Sequence, residues 1–523
     1  MQVDGVPAQV SLDLAGSEGG LSWAFEMDGC VNLLPGFGQR AESLPLQEII
    51  AAEVKPSSLR RQWCSWLEKA WALTLFTFRR APSNPSYWHP RQVTLVSTDE
   101  ELLRAWHAQL QAGMRAQTWR PRRLLVIVNP VGGSRQAPST WSSTVAPVFR
   151  KAGIKVAVVE TQEPQHAVTI VRQVIGGGAE SDADAGAERR SLSPAGADRD
   201  KPRRSRSPSR RAFDGVVAVG GDGLFHEIVN GVLGLRAAGC AAVAPGAQFR
   251  IGHIPAGSTD AVACTLNGTR SAFTAAVHVV LGDAVALDVL RLEREPGLPE
   301  FATCMVSYGF MGDLMAESER LRWLGPARYE LVGAKMLAAN RAYAARVSYL
   351  APAAGPGRAS FSHACLANCE FCARGGREGR DGAAGFTASA EELWERRRAE
   401  FVHLPEQEFA GIMLVIMPCR SDKSKKGVAK YGHLSDGLLH LVLIRRCSRL
   451  QYLKFLLRMS HIGLEAGGQH GSYIQVLPAH AVHIEAVGQE SHWNVDGELI
   501  QSRTINAQLH RGVIDVFARG VEG

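Results

Sequence analysis

The chain has 523 residues, of which 46% are hydrophobic and 21% charged, and its formal net charge is +7. This length accommodates roughly two to four domains with sizeable buried cores. The small positive excess favours an anionic membrane surface or an anionic cosubstrate. It falls short of the clustered basic surface that binds nucleic acid, so no nucleic-acid partner is expected.

Secretion and membrane-spanning signals are not found in the sequence. Residues 1–20 lack the basic stretch and the apolar core of a secretory signal. The best candidate for a membrane span, residues 271–290, is broken by His278, Asp283 and Asp288. Ten cysteines in such a chain point to reduced thiols or a metal site. These features predict a cytoplasmic protein that is soluble or held peripherally at a membrane.

Residues 1–115 are expected to form a β-rich domain that ends in a helix. Residues 71–79 and 91–97 are rich in Thr, Val and aromatic side chains, which is typical of strands. Residues 98–114 have the pattern of an amphipathic helix that Thr98 can cap. Strands followed by one closing helix resemble a pleckstrin-homology domain, which would target the protein to membranes. A generic β-rich domain with a terminal helix is the alternative.

Residues 120–284 alternate between strand and helix patterns, which predicts an α/β lobe with a parallel sheet and helices on both faces. Strands are predicted over 124–128, 155–160, 213–219 and 249–254, and helices over 140–152, 165–174, 224–233, 258–266 and 269–281. Residues 176–212 interrupt this pattern with a Gly-, Ala-, Ser-, Asp- and Arg-rich stretch that cannot bury a core, so they are interpreted as a disordered insert.

From about Val285 the sequence becomes rich in strand patterns. Strands are predicted over 286–292, 302–308, 344–350, 411–417 and 438–444. This pattern predicts an antiparallel, β-rich C-terminal lobe over residues 285–523. A cleft between the two lobes is the expected place for the active site.

The most specific motif is VVAVGGDGLFHEIVNG, residues 216–231. An apolar strand ends in two glycines followed by Asp222 and Gly223, and a helix pattern begins at once. Glycines let the backbone approach a phosphate, and a helix N-terminus presents free N–H groups to an anion. The Asp222 carboxylate, at the end of its strand, can accept a proton from an attacking hydroxyl. The alternative is a tight turn with a helix-capping Asp.

Two further segments repeat this pattern. Residues 129–133, with the sequence NPVGG, and residues 255–260, with the sequence PAGSTD, each follow a buried strand. Three glycine turns at the carboxyl ends of one parallel sheet should converge on one crevice, which favours phosphate binding. The motifs GxxxxGK[ST] and GxGxxG are absent, so the chain is neither a P-loop enzyme nor an ordinary dinucleotide-binding protein.

The three segments resemble the catalytic fold shared by diacylglycerol kinases, sphingosine kinases and ceramide kinases, and the resemblance runs from about Leu124 to the end of the chain. Three features narrow it to ceramide kinases: the preceding domain, the spacing Cys365-x₃-Cys369-x₂-Cys372, and the C-terminal HWNVDGELIQS with VIDVFARGVE. The resemblance implies an ATP- and Mg²⁺-dependent kinase that phosphorylates the primary hydroxyl of ceramide at the Golgi, the endoplasmic reticulum or the plasma membrane.

Alternatives to this function remain open at the level of sequence. The glycine loops do not separate ceramide kinases from sphingosine or diacylglycerol kinases, because all three share them. A catalytically silent lipid-binding relative is the alternative from another class. Retention of Asp222, of Arg322 and Arg328, and of the Asp496-Gly497-Glu498 segment argues against silence.

The resemblance also implies roles for individual residues, with Asp222 as the general base. The lipid side of the site is expected to comprise Gly220, Gly221, Asp222, Gly223 and Asp313. Nucleotide contacts are expected from Asn129, Pro130, Val131, Gly132, Gly133, Thr161, Gln165, Glu227, Gly257, Ser258, Thr259, Arg322, Arg328, Asp496, Gly497 and Glu498. In this set the two arginines would neutralise phosphate charge, and the last three residues would reach the nucleotide through Mg²⁺. Without the resemblance, the sequence favours a solvated helix face for Arg322 and Arg328.

Two clusters near the C-terminus have two interpretations each. Cys365, Cys369 and Cys372 could bind Zn²⁺ with a fourth ligand such as His363 or Cys419, and buried free thiols are the alternative. The basic run, defined as Lys423, Lys425, Lys426 and Lys430, is typical of a solvated loop, with contact to anionic lipid as the alternative.

Overall fold

The computed structural model describes most of the chain. The described residues are 1–4, 6–14, 19–25, 41–60, 67–133, 135–177, 213–244, 246–294, 299–325, 327–352, 362–373, 389–466, 468 and 470–523. The predicted insert lies outside the described residues from position 178 to position 212. The first of two compact units comprises Met1–Arg122, Ser142–Lys155 and Ser271–Asp283, and the second comprises Arg123–Trp141, Val156–Arg270 and Ala284–Gly523.

The first unit contains antiparallel strands in the order β4-β3-β2-β1-β7-β6-β5. They are β1 Gln2–Val3, β2 Val6–Asp13, β3 Gly20–Phe25, β4 Ala41–Pro45, β5 Ala51–Arg60, β6 Leu67–Ala81 and β7 Asn84–Ser97, with a short 3₁₀ helix over Leu46–Glu48. The two strands predicted from the Thr, Val and aromatic runs lie inside β6 and β7, as expected.

The helix Glu100–Ala116 follows β7 and buries Leu103 and Leu110 in the core of the first unit. Its cap is Asp99, whose carboxylate accepts a hydrogen bond of 2.9 Å from the Leu102 N–H. The expectation that Thr98 caps this helix was therefore wrong, because Asp99 stands at the position from which a side-chain oxygen reaches the third amide of the first turn.

Helical segments from beyond residue 120 also belong to the first unit. In the helix Ala272–Leu281, Thr274 Oγ1 accepts a hydrogen bond of 3.0 Å from the Trp88 N–H. The Trp88 indole, fully buried, stacks on Phe78 with ring centroids 3.9 Å apart and lies 4.3 Å from the His278 ring. This unit is therefore built from three separate stretches of the chain.

The second unit is organised around a large mixed sheet. Its strands are β8 Arg123–Val128, β9 Lys155–Glu160, β10 Gly215–Gly220, β11 Arg250–Pro255, β12 Val285–Arg294, β13 Glu300–Ala302, β14 Met305–Gly309, β15 Tyr343–Leu350, β16 Val402–His403, β17 Gln407–Val415, β18 Leu439–Arg445, β19 Ile474–Ala479, β20 Ala481–Val487, β21 Trp493–Val495, β22 Glu498–Ile500 and β23 Thr504–Val516. The main path runs β22-β21-β14-β17-β15-β20-β23-β11-β10-β8-β9. The predicted strand positions agree closely with these bounds.

The remaining helical elements are divided between the two units. The α-helices are Ala137–Thr140, Ala146–Lys151, His166–Val171, Asp222–Ala237, Ala261–Asn267, Ala272–Leu281, Phe310–Glu319, Ala327–Ala339, Glu370–Ala373, Ala390–Arg397 and Arg449–His461, with π turns at Trp141–Val145 and Arg172–Gly176 and 3₁₀ turns at Ala241–Val243, Arg322–Leu324 and Arg398–Glu400. Among the described residues, no helix has both the length and the apolar character needed to span a bilayer.

The C-terminal strand β23 joins the parallel and antiparallel parts of the sheet. It pairs with β11 in the parallel sense and with β12 and β20 in the antiparallel sense. Apart from the parallel pairing of β23 with β11, the strands after residue 285 are antiparallel to their neighbours, as predicted, and they continue the same sheet. This pairing brings the end of the chain next to the strand that carries the third glycine segment.

Candidate active site

The three glycine loops meet at one edge of the parallel sheet. Strand β10 lies between β8 and β11 and is parallel to both. The carboxyl ends of all three strands therefore lie side by side, and the loops are joined by backbone hydrogen bonds. The Asn129 N–H donates to the Val219 carbonyl at 3.1 Å, and the Ala256 N–H donates to the Gly220 carbonyl at 3.0 Å.

Glycine is required here by contact between the loops themselves. A Cβ on Gly257 would lie 2.5 Å from the Gly221 Cα, and a Cβ on Gly133 would lie 2.8 Å from the Gly257 Cα. A Cβ on Gly223, in contrast, would meet no atom within 4 Å. The first three glycines thus serve loop packing as well as any approach to phosphate, while the space beside Gly223 is open.

Asn129 shapes the first loop. Its Oδ1 accepts hydrogen bonds from the N–H groups of Val131, at 3.1 Å, and Gly132, at 2.9 Å. These two amides are therefore engaged within the turn. The adjoining Val131 side chain is 65% exposed at the tip of the loop, and Pro130 is half-buried between them.

Asp222 is the first residue of the helix Asp222–Ala237 and is half-buried. Its two carboxylate oxygens each accept a hydrogen bond of 3.0 Å, from the N–H groups of Ala261 and Val262. Asp222 thus caps the start of the neighbouring helix Ala261–Asn267. Burial raises the pKa of Asp222 above its ordinary value, against the lowering effects of His253 and the two amides. A carboxyl group with a raised pKa is better matched to accept a proton near neutral pH.

Asp260 and Arg270 clamp the third loop, and sequence reasoning did not single them out. Asp260 is buried and has a left-handed backbone, and its Oδ1 accepts from the Gly257 N–H at 2.8 Å. Its Oδ2 accepts from Arg270 Nε and Nη2 at 3.0 and 2.8 Å. Arg270 also donates to the Gly257 carbonyl and to Asp422, each at 3.0 Å. Asp260 stands in the PAGSTD segment, so the motif offered a signal, whereas nothing near Arg270 in sequence did.

Ser258 and Thr259, in the same loop, are exposed. Thr161, at the end of β9, is buried, and its N–H donates to the Val128 carbonyl at 2.9 Å. The structure therefore places Thr161 next to the strand that precedes the first loop. Two of the segments predicted to contact the nucleotide thus place hydroxyl side chains just after strands of the same sheet: Thr161 after β9, and Ser258 and Thr259 after β11.

Glu227 fastens the segment after β9 to the helix that begins at Asp222. The buried Glu227 carboxylate accepts from the Ala167 N–H at 3.1 Å, at the start of the helix His166–Val171. Gln165, immediately before that helix, has a left-handed backbone. Burial raises the pKa of Glu227, and the negative charge of Glu498 raises it further. The structure thus brings Gln165 and Glu498 close to Glu227, and a nucleotide contact for the three residues stays a prediction.

Asp496 is held by a dense set of hydrogen bonds. Its carboxylate accepts from the N–H groups of Thr303, Cys304 and Met305 at 2.7, 3.0 and 2.8 Å. His226 Nδ1 lies 3.4 Å from the same carboxylate. These contacts commit Asp496 to bracing the start of β14, while Glu498, two residues on, is exposed.

His226 is a buried cation. Its Nε2 lies 3.6 Å from Glu300, and its Nδ1 faces Asp496. Burial opposes the charged ring, but the two carboxylates outweigh that effect and raise the pKa of His226 to about 10. The ring therefore carries a positive charge at neutral pH beside the helix of Asp222. Sequence reasoning assigned His226 no role in the site.

Asp313 lies in a buried polar group on the helix Phe310–Glu319. Its carboxylate accepts hydrogen bonds from the Tyr343 hydroxyl and, at 2.6 Å, from the Ser491 hydroxyl. Burial together with this carboxylate raises the pKa of Tyr343 to about 12. Asp313 is therefore held by protein groups on both of its oxygens.

Of the two arginines predicted to bind phosphate, the structure describes the side chain of Arg328 but not that of Arg322. Arg328 donates to the Tyr329 hydroxyl at 2.7 Å and lies 3.7 Å from Glu319. Between Arg328 and the glycine loops, no hydrogen bond or ion pair is found in the described part of the chain. The backbone of Arg322 belongs to a 3₁₀ turn, but its side chain lies outside the described residues. A phosphate role for either arginine stays a prediction.

The three cysteines meet a histidine that the sequence did not indicate. Ligand atoms of Cys365, Cys369, Cys372 and His433 all lie within 4.8 Å of one another. The expected fourth partners are placed elsewhere: His363 Nδ1 lies 2.9 Å from the Ser362 hydroxyl. The Cys419 thiol donates to the Cys304 carbonyl at 3.3 Å. The expectation that His363 or Cys419 is the fourth ligand was wrong, because His433, distant in sequence, lies beside the three cysteines.

The chain is similar in sequence to known lipid kinases. The diacylglycerol kinase catalytic domain family matches residues 123–181 and 191–292, which include all three glycine loops. Human ceramide kinase is 30% identical over 529 residues, covering 93% of this chain and 90% of the human protein. Mouse ceramide kinase is 29% identical over 527 residues, covering 93% and 91%. A crystal structure of a diacylglycerol kinase from Bacillus anthracis str. Sterne aligns with a TM-score of 0.44 at 13% identity, covering 76% of this chain and 97% of that chain.

The chain is thus an ATP-dependent lipid kinase with a diacylglycerol kinase catalytic domain. The extent of the similarity defines the group more closely, because it spans nine-tenths of the human relative, far beyond the catalytic domain. The chain belongs to the ceramide kinase family.

Proposed function

We propose that this chain transfers the γ-phosphoryl group of ATP to the primary hydroxyl of ceramide and so forms ceramide 1-phosphate. The observation that carries the proposal is the position of Asp222, a half-buried carboxylate with a raised pKa at the edge where three glycine loops meet. Membership in the ceramide kinase family supports ceramide as the acceptor.

In the proposed reaction, Asp222 takes the proton of the ceramide hydroxyl as the hydroxyl oxygen forms a bond to the γ-phosphorus. The bond between that phosphorus and the bridging oxygen breaks, and ADP leaves with the electron pair. The two amides of Ala261 and Val262 fix the orientation of the base. Since phosphoryl transfer depends mostly on positioning and charge neutralisation, a rigidly held base suits it.

The proposed nucleotide site extends from the first loop to the segment after β9. The phosphates would lie against Asn129, Gly132 and Gly133 and against Ser258 and Thr259 of the third loop, whose hydroxyls are exposed. The ribose would approach the group formed by Thr161, Gln165 and Glu227. The clamp between Asp260 and Arg270 would keep the third loop in place.

The Mg²⁺ ion that accompanies ATP in kinases fits Glu498 better than Asp496. Mg²⁺ is commonly bound by one or two carboxylates together with substrate phosphates and water. Glu498 is exposed and close enough to Glu227 to raise its pKa, whereas Asp496 already accepts several protein hydrogen bonds. When bound, the ion would neutralise charge on the transferring phosphate.

The lipid side of the proposed site begins at Gly223. A Cβ there would meet no protein atom within 4 Å, so the space can be taken by a substrate hydroxyl or phosphate. Asp313 would contribute to the headgroup region through the group it forms with Tyr343 and Ser491. These assignments follow the family resemblance.

Access to a membrane lipid requires contact with the bilayer. We assign one contact to the first unit, whose antiparallel strands and closing helix have the pattern of a pleckstrin-homology domain. A docking module raises the effective concentration of an enzyme at the surface where its substrate lies.

A second bilayer contact is proposed on the helix Arg449–His461 of the second unit. Its exposed face carries a leucine row, defined as Leu450, Leu453 and Leu457, with exposed fractions of 62%, 38% and 52%. The spacing places these leucines on one face. The Ser424 hydroxyl donates to the Met459 carbonyl at 3.2 Å, which puts the basic run beside this helix. Leucines flanked by lysines suit the interface of an anionic membrane.

The proposal is tested by assaying the purified full-length protein with labelled ATP against ceramide, sphingosine and diacylglycerol in mixed micelles. Phosphorylation of ceramide at least tenfold above the other two is expected. Preference for sphingosine or diacylglycerol would assign the chain a different acceptor. Binding of ceramide without any phosphoryl transfer would identify a silent lipid-binding relative.

A further inference from the structure

The arrangement of Cys365, Cys369, Cys372 and His433 has the dimensions of a tetrahedral metal site. The sulfur atoms of Cys365 and Cys372 are 3.7 Å apart, and the Cys369 sulfur lies 3.2 Å from His433 Nδ1. With Zn–S bonds of about 2.3 Å and Zn–N bonds of about 2.0 Å, tetrahedral ligand atoms are roughly 3.5–3.8 Å apart. The observed separations agree with that spacing to within a few tenths of an ångström.

Neither a disulfide bond nor simple core packing accounts for these four side chains. Cys365 and Cys372 are free thiols, and a separation of 3.7 Å is far longer than a disulfide bond of about 2.05 Å. Cysteines that only fill space would pack as small apolar residues in separate directions. Here three sulfur atoms and one ring nitrogen, from two distant parts of the chain, all lie within 4.8 Å of one another.

We propose that Cys365, Cys369, Cys372 and His433 bind one structural Zn²⁺ ion. Three thiolates and one imidazole complete a four-coordinate site, so no position is left for water or substrate, as is typical of structural zinc. The candidate site is built from the short helix Glu370–Ala373 with its preceding turn and from the loop between β17 and β18. Binding of the ion would tie these two segments together.

Hydrogen bonds of Arg420 connect the proposed zinc site to the helix Ala261–Asn267, whose amides bind the Asp222 carboxylate. Arg420 Nη2 donates to the Cys365 carbonyl at 2.8 Å, and the Arg420 N–H donates to Thr265 Oγ1 at 2.8 Å. Arg420 and Thr265 are both buried. Thr265 lies on the helix Ala261–Asn267, whose first two amides donate to the carboxylate of Asp222.

A second, half-buried side chain links the two segments of the candidate zinc site to each other. Arg511, on β23, donates to the Phe371 carbonyl at 3.2 Å and to the Ser435 carbonyl at 3.2 Å. It therefore bridges the cysteine segment and the loop that carries His433. Loss of zinc would loosen both segments and, through Arg420, the helix that orients Asp222. This consequence for activity rests on the proposed function, whereas metal binding does not.

The test is the metal content of the purified full-length protein, measured by inductively coupled plasma mass spectrometry after dialysis against metal-free buffer. About one equivalent of zinc is expected for the wild type and for His363→Gln and Cys447→Ser, which are matched controls outside the four ligands. Cys369→Ser and His433→Gln should each lose most of the zinc. Retention of zinc in both variants, or less than one-tenth of an equivalent in folded wild type, would overturn the proposal.

A spectroscopic arm keeps the test valid if the serine variants fail to fold. Wild type from which zinc has been removed is reloaded with Co²⁺, and a tetrahedral site with three thiolates should give intense thiolate charge-transfer and visible d–d bands. His433→Cys should retain a metal in a four-sulfur site and shift the visible bands. A weak, octahedral-type spectrum in wild type, or a spectrum unchanged in His433→Cys, would contradict the assigned ligand set.

Activity measurements test the zinc site and the proposed reaction separately. Zinc removal should lower kcat on ceramide at least tenfold and the thermal midpoint as well, with recovery on adding Zn²⁺. If the zinc-loaded wild type phosphorylates none of the lipids, the proposed function fails while the metal site stands. If zinc-free protein is folded and fully active, the proposed connection between zinc and Asp222 is wrong.

Discussion

The Oδ1 atom of Asp222 lies 3.0 Å from the backbone nitrogen of Val262, in the first turn of the helix that follows the third glycine loop. A second bond joins the other oxygen to Ala261. The proposed base is therefore held by the helix of the adjacent loop, so the geometry of the second loop depends on that of the third. The amides also favour the charged carboxylate, while burial favours the neutral acid and prevails.

Because burial raises the pKa of Asp222, the acid limb of the pH profile of kcat/KM should lie above the ordinary range for an aspartate, about pH 4. His253 opposes this rise. The substitution His253→Gln should therefore move the acid limb to higher pH. Measurement of kcat/KM from about pH 4.5 to about pH 8 checks this. A limb that stays in place, or moves to lower pH, in folded His253→Gln would contradict the electrostatic assignment.

The substitution His226→Gln should destabilise the second unit, because Asp496 and Glu300 lose a buried cation. Removing one partner of a buried ion pair typically costs about 3–5 kcal/mol. The pKa of His226 is raised to about 10, so its stabilising effect is full below about pH 6.5 and is lost as pH rises through about 10. The thermal midpoint of the wild type should thus fall between about pH 7 and about pH 10, and that of the variant should fall less. If the thermal midpoints of wild type and variant fell equally between these pH values, the account would be contradicted. The control is His461→Gln, a substitution of an exposed histidine.

Two glycine substitutions should separate loop packing from ligand contact. Gly257→Ala places a Cβ 2.5 Å from the Gly221 backbone, and such overpacking typically costs about 1–3 kcal/mol. It should lower both the thermal midpoint and activity. Gly223→Ala meets no protein atom within 4 Å, so it should keep the wild-type midpoint yet lower kcat/KM. Full activity of Gly223→Ala would show that the space beside it is not used by substrate.

The leucine row should matter for vesicles and not for micelles. The triple substitution Leu450→Gln, Leu453→Gln and Leu457→Gln should weaken sedimentation with anionic vesicles and reduce activity on ceramide in those vesicles. Activity in detergent micelles should remain, because these side chains are exposed and lie outside the core. Val402→Gln, exposed on β16, is the matched control. Unchanged vesicle binding of the triple variant would show that this helix does not contact the membrane.

Much of the fold was predictable because its signals are local. The apolar runs of β8, β10 and β11 and the glycines after them indicated strands and turns in correct order. Parallel pairing of adjacent βα units then brings the turns to one edge. The pairing of β23 with β11 was not predictable, because it joins residues more than two hundred positions apart and no local pattern encodes the partner.

The candidate site was predictable in part for the same reason. Asp222 and the loop glycines stand in motifs, whereas Arg270 and His433 reach their partners only through the folded chain. The motif predicts that Asp496 contacts the nucleotide, whereas its hydrogen bonds to residues 303–305 give it a bracing contact within the protein. A sequence pattern identifies which residue types meet a ligand class, and the hydrogen bonds decide which of them are already committed to the protein.

The most direct test of the central claim is the activity of Asp222→Asn on micellar ceramide with labelled ATP. The variant should fold, since the amide oxygen still accepts from the helix Ala261–Asn267, and its kcat should fall roughly 10²–10⁴-fold, the usual contribution of a general base. Asp422→Asn, an exposed carboxylate that pairs with Arg270, should stay within about fivefold of wild type, because such surface pairs contribute about 0–1 kcal/mol. A folded Asp222→Asn protein that binds ATP normally and matches that control in activity would contradict the assignment of Asp222 as the base.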